Sequence, residues 1–274
     1  QDNIDPGIAG LLEGSAFLAA RVQLKLNEEF RGLTDALLEQ LLPGLQEPLP
    51  AMMMVEAHGP EPDKLETGKL IPAGSYLDAR FQDSEARVAC RFRLGADLEL
   101  WPLEIERSAY LGSAAEVSAL GLDAAEATRA GLSVSLARQG PEGGALADLP
   151  LDRLTLHLAG PMAEAAALYE QMFCNLTRIS LRFTDAYGDP VFLRLDPGQL
   201  QQVGFGPAER IIPQDGRLFD GFAELREGLA FPRKYLGLRL TGLARQFARL
   251  RSSRVQILFE FDRAHPTLAA RLSD

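Results

Sequence analysis

Four carboxylates stand close enough in sequence to suggest acid–base chemistry: Glu104 with Glu106, and Asp185 with Asp189. Cleavage of a glycosidic bond needs such a pair, one carboxyl as acid and the other as base or nucleophile. Glu104 and Glu106 are two apart on a segment that reads as a strand, so both side chains share one face. That is also a common pattern of a solvated strand. Asp185 and Asp189 flank a turn, where Asp is favoured because its side chain bonds the local backbone. The single tryptophan, Trp101, is too few for an aromatic sugar platform. A carbohydrate-binding or hydrolytic β-sandwich therefore stands only as the alternative function.

The other reactive residue types are scattered. His58 lies in a Gly-Pro turn, His157 within a strand and His265 before Pro266, with no second His or Cys at metal-ligand spacing. Cys90 and Cys174 are far apart, so free buried thiols are expected, with a disulfide as the alternative. The run Val203-Gly204-Phe205-Gly206-Pro207 begins like a dinucleotide-binding loop but lacks the third glycine, and reads instead as a tight turn. No nucleophile elbow and no phosphate-binding loop is present. These residues predict no catalytic site, no metal and no cofactor, and hence no enzyme. Met52-Met53-Met54 is expected to pack in a core, or to offer an adaptable contact to a partner.

The elements that carry these residues fall into three stretches. Asp5 and Pro6 suit a helix start, as cap and first helical residue. Ile8, Leu12, Ser15, Ala19, Val22, Leu26 and Phe30 then recur in steps of three and four, predicting a helix from Pro6 to Phe30 with one apolar face. Gly32 is expected to break it. A second helix should follow, with Thr34 as its cap, a staple between Leu33 and Leu38, and Pro43-Gly44 as its stop. Such a helical pair is too apolar to bury itself. Beyond it the period changes to two. Strands are expected at 51–57, 75–81, 85–93, 98–107 and 132–138, with Pro102 marking an edge strand or a bulge. The loop 139–144 is a plausible domain boundary. After it come a strand at 154–158, a helix from Gly160-Pro161 to about Phe173, and a hairpin of 179–184 with 191–195. A short helix at 220–230 and strands at 235–241 and 255–261 complete the chain. The predicted fold is thus α+β and β-rich: an N-terminal helical pair followed by two mainly antiparallel, sandwich-like β domains with a few helices. The expected domains are 1–45, 46–145 and 146–274.

The 274 residues carry 28 basic and 38 acidic side chains, a net charge of -10. That field disfavours nucleic acid and anionic lipid. Arg245, Arg249, Arg251 and Arg254 are the best candidate for a local basic patch, and the simpler reading is a solvated helix end. No apolar run approaches the ~20 residues that span a bilayer. The start, Gln1 to Asp5, is polar and shows no signal peptide. A soluble, cytoplasmic protein is expected. The absence of an initial Met suggests a fragment.

Asp5-Pro6, Leu11-Leu12-Glu13-Gly14, Ala16-Phe17-Leu18-Ala19-Ala20-Arg21-Val22, Lys25-Leu26 and Glu29-Phe30 follow one another along the first segment. In this order they resemble the early helix of the TssF family of type VI secretion systems. Leu33 to Glu39 and Pro48-Leu49-Pro50-Ala51-Met52 follow in order. So do Ile71-Pro72-Ala73-Gly74-Ser75, Cys90-Arg91-Phe92-Arg93 and Leu100-Trp101-Pro102-Leu103. Leu168-Tyr169-Glu170 with Asn175, Val203-Gly204-Phe205-Gly206, and Phe219 with Gly221-Phe222 come next. Leu225-Arg226-Glu227, Ala230-Phe231-Pro232 and Lys234 close the set. Pro43–Glu47 and Glu227-Gly228-Leu229 depart from the pattern, and family members are considerably longer.

The resemblance implies a structural baseplate wedge subunit. Such a subunit assembles with TssG, a second TssF copy, TssK and TssE around the spike protein VgrG, and supports sheath and tube assembly. The relatives are wedge proteins of contractile phage baseplates. It implies a cytoplasmic baseplate that docks at the inner membrane through partners, with no membrane insertion of its own. Under this reading the helix face at Leu11, Leu18, Val22 and Lys25 is the expected inter-subunit surface.

Overall fold

A computed structural model describes residues 5–42, 48–59, 62–79, 90–122, 125–140, 144–212 and 220–272. The chain falls into two compact units, Gln1–Ala51 with Ile212–Ala223, and Met52–Ile211 with Glu224–Asp274.

The N-terminal segment is one helix, α1 (Pro6–Leu41), of 36 residues. At 1.5 Å per residue it is about 54 Å long. Asp5 caps it as expected, its carboxylate accepting from the Gly7 N–H at 2.8 Å. The expected break at Gly32 does not occur. A glycine inside a helix costs only about 1 kcal/mol, and good helix formers flank it on both sides. Thr34, expected to cap a second helix, instead donates its hydroxyl back to the Phe30 carbonyl at 2.8 Å. The helical pair is therefore a single rod.

The second unit begins with small pieces. Residues 48–59 include the expected strand 51–57, but form no strand, and Met53 and Met54 are exposed rather than packed in a core. Strands β1 (Lys69–Ile71) and β2 (Tyr76–Asp78) pair antiparallel with β4 (Leu98–Leu100) and β3 (Arg91–Arg93), respectively. Most of the expected strand 85–93 lies outside the described residues.

The main sheet has five antiparallel strands in the order β5-β6-β12-β8-β9. They are β5 (Leu103–Leu111), β6 (Ala130–Arg138), β8 (Leu176–Thr184), β9 (Pro190–Leu195) and β12 (Arg254–Phe261). A three-stranded antiparallel sheet holds β7 (Leu154–His157), β10 (Leu200–Val203) and β11 (Gly237–Leu240), with β11 in the middle. Helices α2 (Ala114–Ala119), α3 (Met162–Cys174), α4 (Asp220–Ala230), α5 (Ala244–Phe247) and α6 (Pro266–Arg271) fill the connections. The main sheet takes strands from both sides of residue 145, so the boundary expected there falls between two strands of one sheet.

The core lies on this sheet. Strand β12 is central, and its run Val255, Ile257, Leu258, Phe259 and Phe261 is buried on both faces. Neighbouring β6 alternates large and small residues. Leu132, Val134 and Leu136 enter the core, while Gly131 lets Val117 of α2 approach within contact distance. Leu168 and Met172 of α3 pack into the same core. Strand β5 is an edge strand with a bulge, its register skipping Glu106 between Ile105 and Arg107. Pro102, just before β5, fits the edge position predicted for it.

Candidate interaction surface

The structure separates the residues that suggested chemistry. The bulge leaves Glu106 out of the ladder, and the two carboxylates serve different partners. Glu104 accepts from the Gln139 amide at 2.6 Å, and Glu106 pairs with Arg254 at 2.8 Å. Asp185 accepts from the main-chain N–H groups of Tyr187 and Asp189, at 2.8 and 2.9 Å, and so shapes the β8–β9 turn. Trp101 is half-buried and packs on the core, its ring against Gly68. His157 faces Gly237 across the β7–β11 pair. His265 caps α6, its Nδ1 accepting from the Leu268 N–H. Among the described residues no three His, Cys, Asp or Glu side chains stand together as a metal site. Cys90 and Cys174 are free but exposed, not buried as expected, because each sits at an element end facing solvent. Arg245, Arg249, Arg251 and Arg254 are also exposed.

The glycine loop after β10 has its own internal anion. The Glu209 carboxylate accepts from the N–H groups of Gly204 and Gly206, at 2.7 and 3.3 Å, and pairs with Arg239 at 3.1 Å. Burial alone would raise the Glu209 pKa. The two backbone N–H groups and the Arg239 guanidinium outweigh that and hold it below the usual range. A phosphate cradle uses N–H groups in this way, and here a carboxylate of the same chain occupies them. Gly204 takes φ +101°, and a Cβ there would lie 3.0 Å from the Lys234 carbonyl oxygen.

This loop is one side of a cluster that sequence spacing did not reveal. Phe205 packs its ring on Tyr235, with centroids 4.7 Å apart. Glu227 of α4 is fully buried; it pairs with Lys234 and accepts from the Ile211 N–H at 2.7 Å. The Tyr235 phenol donates to the Glu224 carbonyl. Burial, with the charges of Glu227 and Glu224, pushes its pKa up to about 12. Segments 203–206, 224–227 and 232–235, the last two near in sequence and the first well before them, thus meet in one polar staple. Its groups are engaged with each other, which suits holding the fold in place. The signal available beforehand was the shared motif set, which names Gly204, Glu227 and Lys234 without linking them.

The largest surface feature is α1. None of its residues is buried. Leu11, Leu18 and Val22 are all exposed, as is Lys25. They are offset by seven, eleven and fourteen residues, close to whole turns at 3.6 residues per turn, so they share a face. Beside them run Ile8, Leu26, Phe30, Leu33, Leu37 and Leu41, also exposed. A contiguous apolar stripe of this length is the kind of surface that protein–protein contacts use. Among the described residues no helix is long and apolar enough to cross a membrane.

The chain is similar to known proteins. The family model described as "Type VI secretion system, TssF" matches residues 1–274. The "Type VI secretion system component TssF1" of Pseudomonas aeruginosa is 32% identical over 259 residues. That alignment takes in 94% of this chain and 41% of the relative, so the chain spans about two fifths of the relative's length. A chain of a type VI secretion system TssK-TssF-TssG baseplate subcomplex, solved by cryo-electron microscopy, shares the fold. It matches with a TM-score of 0.64 and 22% identity, over 92% of this chain and 44% of that one.

Proposed function

This chain belongs to the TssF family of type VI secretion proteins, and on that premise we propose that it is a structural, non-catalytic subunit of the baseplate wedge. It assembles with TssG and TssK, the two proteins that accompany TssF in the solved subcomplex. A second copy of the chain, TssE, the spike VgrG and the sheath proteins complete its surroundings. The baseplate is cytoplasmic and meets the inner membrane through partners.

One observation carries this reading: a 36-residue helix that buries none of its apolar face. An enzyme gains nothing from such a face, whereas an assembly subunit needs one. The face at Leu11, Leu18, Val22 and Lys25 meets a neighbouring subunit, and the sheet unit spaces the contacts. Asp185 shapes a turn, His265 caps a helix and Glu106 pairs with Arg254, which are roles in the fold.

The test is co-expression of the chain with TssG and TssK of the same source. The wild-type chain retains TssG on purification, and the Leu11→Glu/Val22→Glu double variant loses it. Unchanged retention by the double variant sinks the assignment of this face.

A further inference from the structure

The five-stranded sheet ends differently at its two edges. Strand β5 is closed to further pairing. Its bulge, Pro102 before it and the exposed charges of Glu104, Glu106 and Arg107 are devices that keep an edge from extending. The Leu272 carbonyl also takes the outward N–H of Tyr110, at 2.9 Å. Strand β9 has only Pro190, at its first position. Its register against β8 runs without a shift from Pro190 to Leu195.

The turn before β9 shows which of its groups point outward. The Asp185 N–H donates to the Asp189 carbonyl at 2.9 Å, so these two residues form a bonded pair. Bonded and non-bonded pairs alternate in an antiparallel ladder, and Val191, Leu193 and Leu195 therefore bond β8. Phe192 and Arg194 turn both N–H and C=O outward, and Pro190 turns its C=O. The next outward residue, Asp196, is already satisfied. Its N–H donates to the Gln199 side-chain oxygen at 3.0 Å, and its carbonyl accepts from the Gln199 N–H at 2.9 Å. Among the described residues nothing meets the outward backbone groups of Phe192 and Arg194. Donors and acceptors at this spacing are matched by another extended backbone.

We propose that this edge takes β9 of a second copy of the chain, antiparallel about a two-fold axis through Leu193. That register sets Phe192 of one copy opposite Arg194 of the other, and the two symmetric pairs exchange four hydrogen bonds. Each guanidinium then lies beside an aromatic ring, a favourable cross-strand pair. The neighbouring registers fit less well. Centred on Arg194, the pairing sets like charges opposite each other. Centred on Phe192, it sets Arg194 opposite Pro190, whose missing N–H leaves the Arg194 carbonyl unpaired. A contact of a surface with itself closes as a dimer, so both edges are used up and no fibre grows. The two five-stranded sheets become one of ten strands, within what open sheets sustain. The inference rests on the wedge reading for a second copy in the surroundings, and adds where the two copies meet.

Sedimentation equilibrium of the chain alone gives the test, at physiological salt, where the charge of -10 on each copy is screened. A concentration-dependent dimer is expected. Arg194→Pro deletes an outward N–H and leaves the β8 ladder intact, a position where an edge strand tolerates proline. It removes two hydrogen bonds per dimer and weakens association roughly thirtyfold. Phe192→Arg sets arginine opposite arginine and weakens it about tenfold. Adding Arg194→Glu to Phe192→Arg makes each pair an arginine with a glutamate and restores the dimer, a rescue that belongs to this register alone. Urea unfolding reports whether each variant keeps the sheet. Should Arg194→Pro lose it, the Phe192→Arg variant and its rescue still decide. A chain that stays monomeric, a dimer unchanged by Phe192→Arg, or a failed rescue overturns the proposal. So does a dimer that Leu11→Glu/Val22→Glu dissolves, since α1 then holds it. Loss of TssG from co-expressed Arg194→Pro, with no dimer in the wild type, means that another subunit's strand fills the edge, and overturns it too. The wedge reading stands or falls separately, on retention of TssG by the wild-type chain.

Discussion

Strand β12 and helix α1 carry runs of similar apolar character and meet opposite fates. Five large apolar side chains of β12 are buried, with strands on both sides and helices above. Twelve large apolar side chains of α1 are exposed. The difference is one of partners, not of composition. A central strand finds its neighbours within the chain, because β6 and β8 satisfy its backbone and their side chains cover its faces. A helix satisfies its own backbone, so it can stand complete while its apolar face waits for another chain. An assembly protein can keep a stable sheet core and expose a helix without a large cost to folding.

Truncation of one phenylalanine in each region breaks this comparison most sharply. Phe259→Ala on β12 empties a fully packed site and is expected to destabilise the fold by about 3–5 kcal/mol. Phe30→Ala on α1 removes a side chain that contacts little, and should change stability by no more than about 0.5 kcal/mol. Urea unfolding monitored by near-ultraviolet circular dichroism measures both. A large effect at Phe30 would mean that α1 is packed in the isolated chain. Presence of TssG should then make Phe30→Ala costly for retention and leave the effect of Phe259→Ala a matter of folding alone.

That contrast also explains what could be read in advance. Strand β12, the β8–β9 hairpin and α3 follow from period, turn residues and length, because local signals and burial agree there. The path through Gly32 did not follow. A glycine favours a break locally, yet a helix tolerates it at modest cost when neighbours on both sides favour helix. The strand expected at 51–57 failed for the opposite reason: strand-like residues need a partner strand, and no alternation supplies one. The Glu104–Glu106 pair serves two separate partners, Gln139 and Arg254, that lie far off in sequence, and the one-residue bulge at Glu106 has no composition signal. The apolar face of the first helix was legible as far as Phe30, and its continuation to Leu41 in the same helix was not, since Leu33, Leu37 and Leu41 lie beyond the expected break. The staple of Gly204, Glu227 and Lys234 needed the glycine loop to meet a helix and turn further along the chain, which spacing cannot show.

A second pair of residues sharpens the comparison at smaller scale. Gly204 sits at positive φ with the Lys234 carbonyl close by. Gly204→Ala is expected to cost about 1–3 kcal/mol through backbone strain. Gly32 sits in α1 with open space around it. Gly32→Ala should stabilise that helix by about 0.5–1 kcal/mol. Helical content by far-ultraviolet circular dichroism, with urea unfolding of the sheet unit, checks the opposite signs. Equal signs at the two glycines would overturn the view that one is required by conformation and the other merely tolerated.

The smallest effect separates the regions by pH. Glu209 titrates below its ordinary value of 4.5 in the folded chain, because Gly204, Gly206 and Arg239 favour its charged form more than burial opposes it. A carboxyl whose folded pKa is depressed adds stability above its unfolded pKa, and that contribution is lost as pH falls through the folded value. The Glu209→Gln variant keeps the shape but has no proton to gain. It should lose on the order of 1 kcal/mol at pH 7, the worth of charged hydrogen bonds over neutral ones. The difference from wild type should shrink as pH drops below 4.5, where the unfolded carboxyl takes up a proton, and close as the folded one does. Unfolding of the sheet unit, followed in urea at a series of pH values, measures the closing gap. A gap that stays constant down to acid pH would show that Glu209 acts by shape and not by charge. The glycine loop would then keep its conformation without an anion in it.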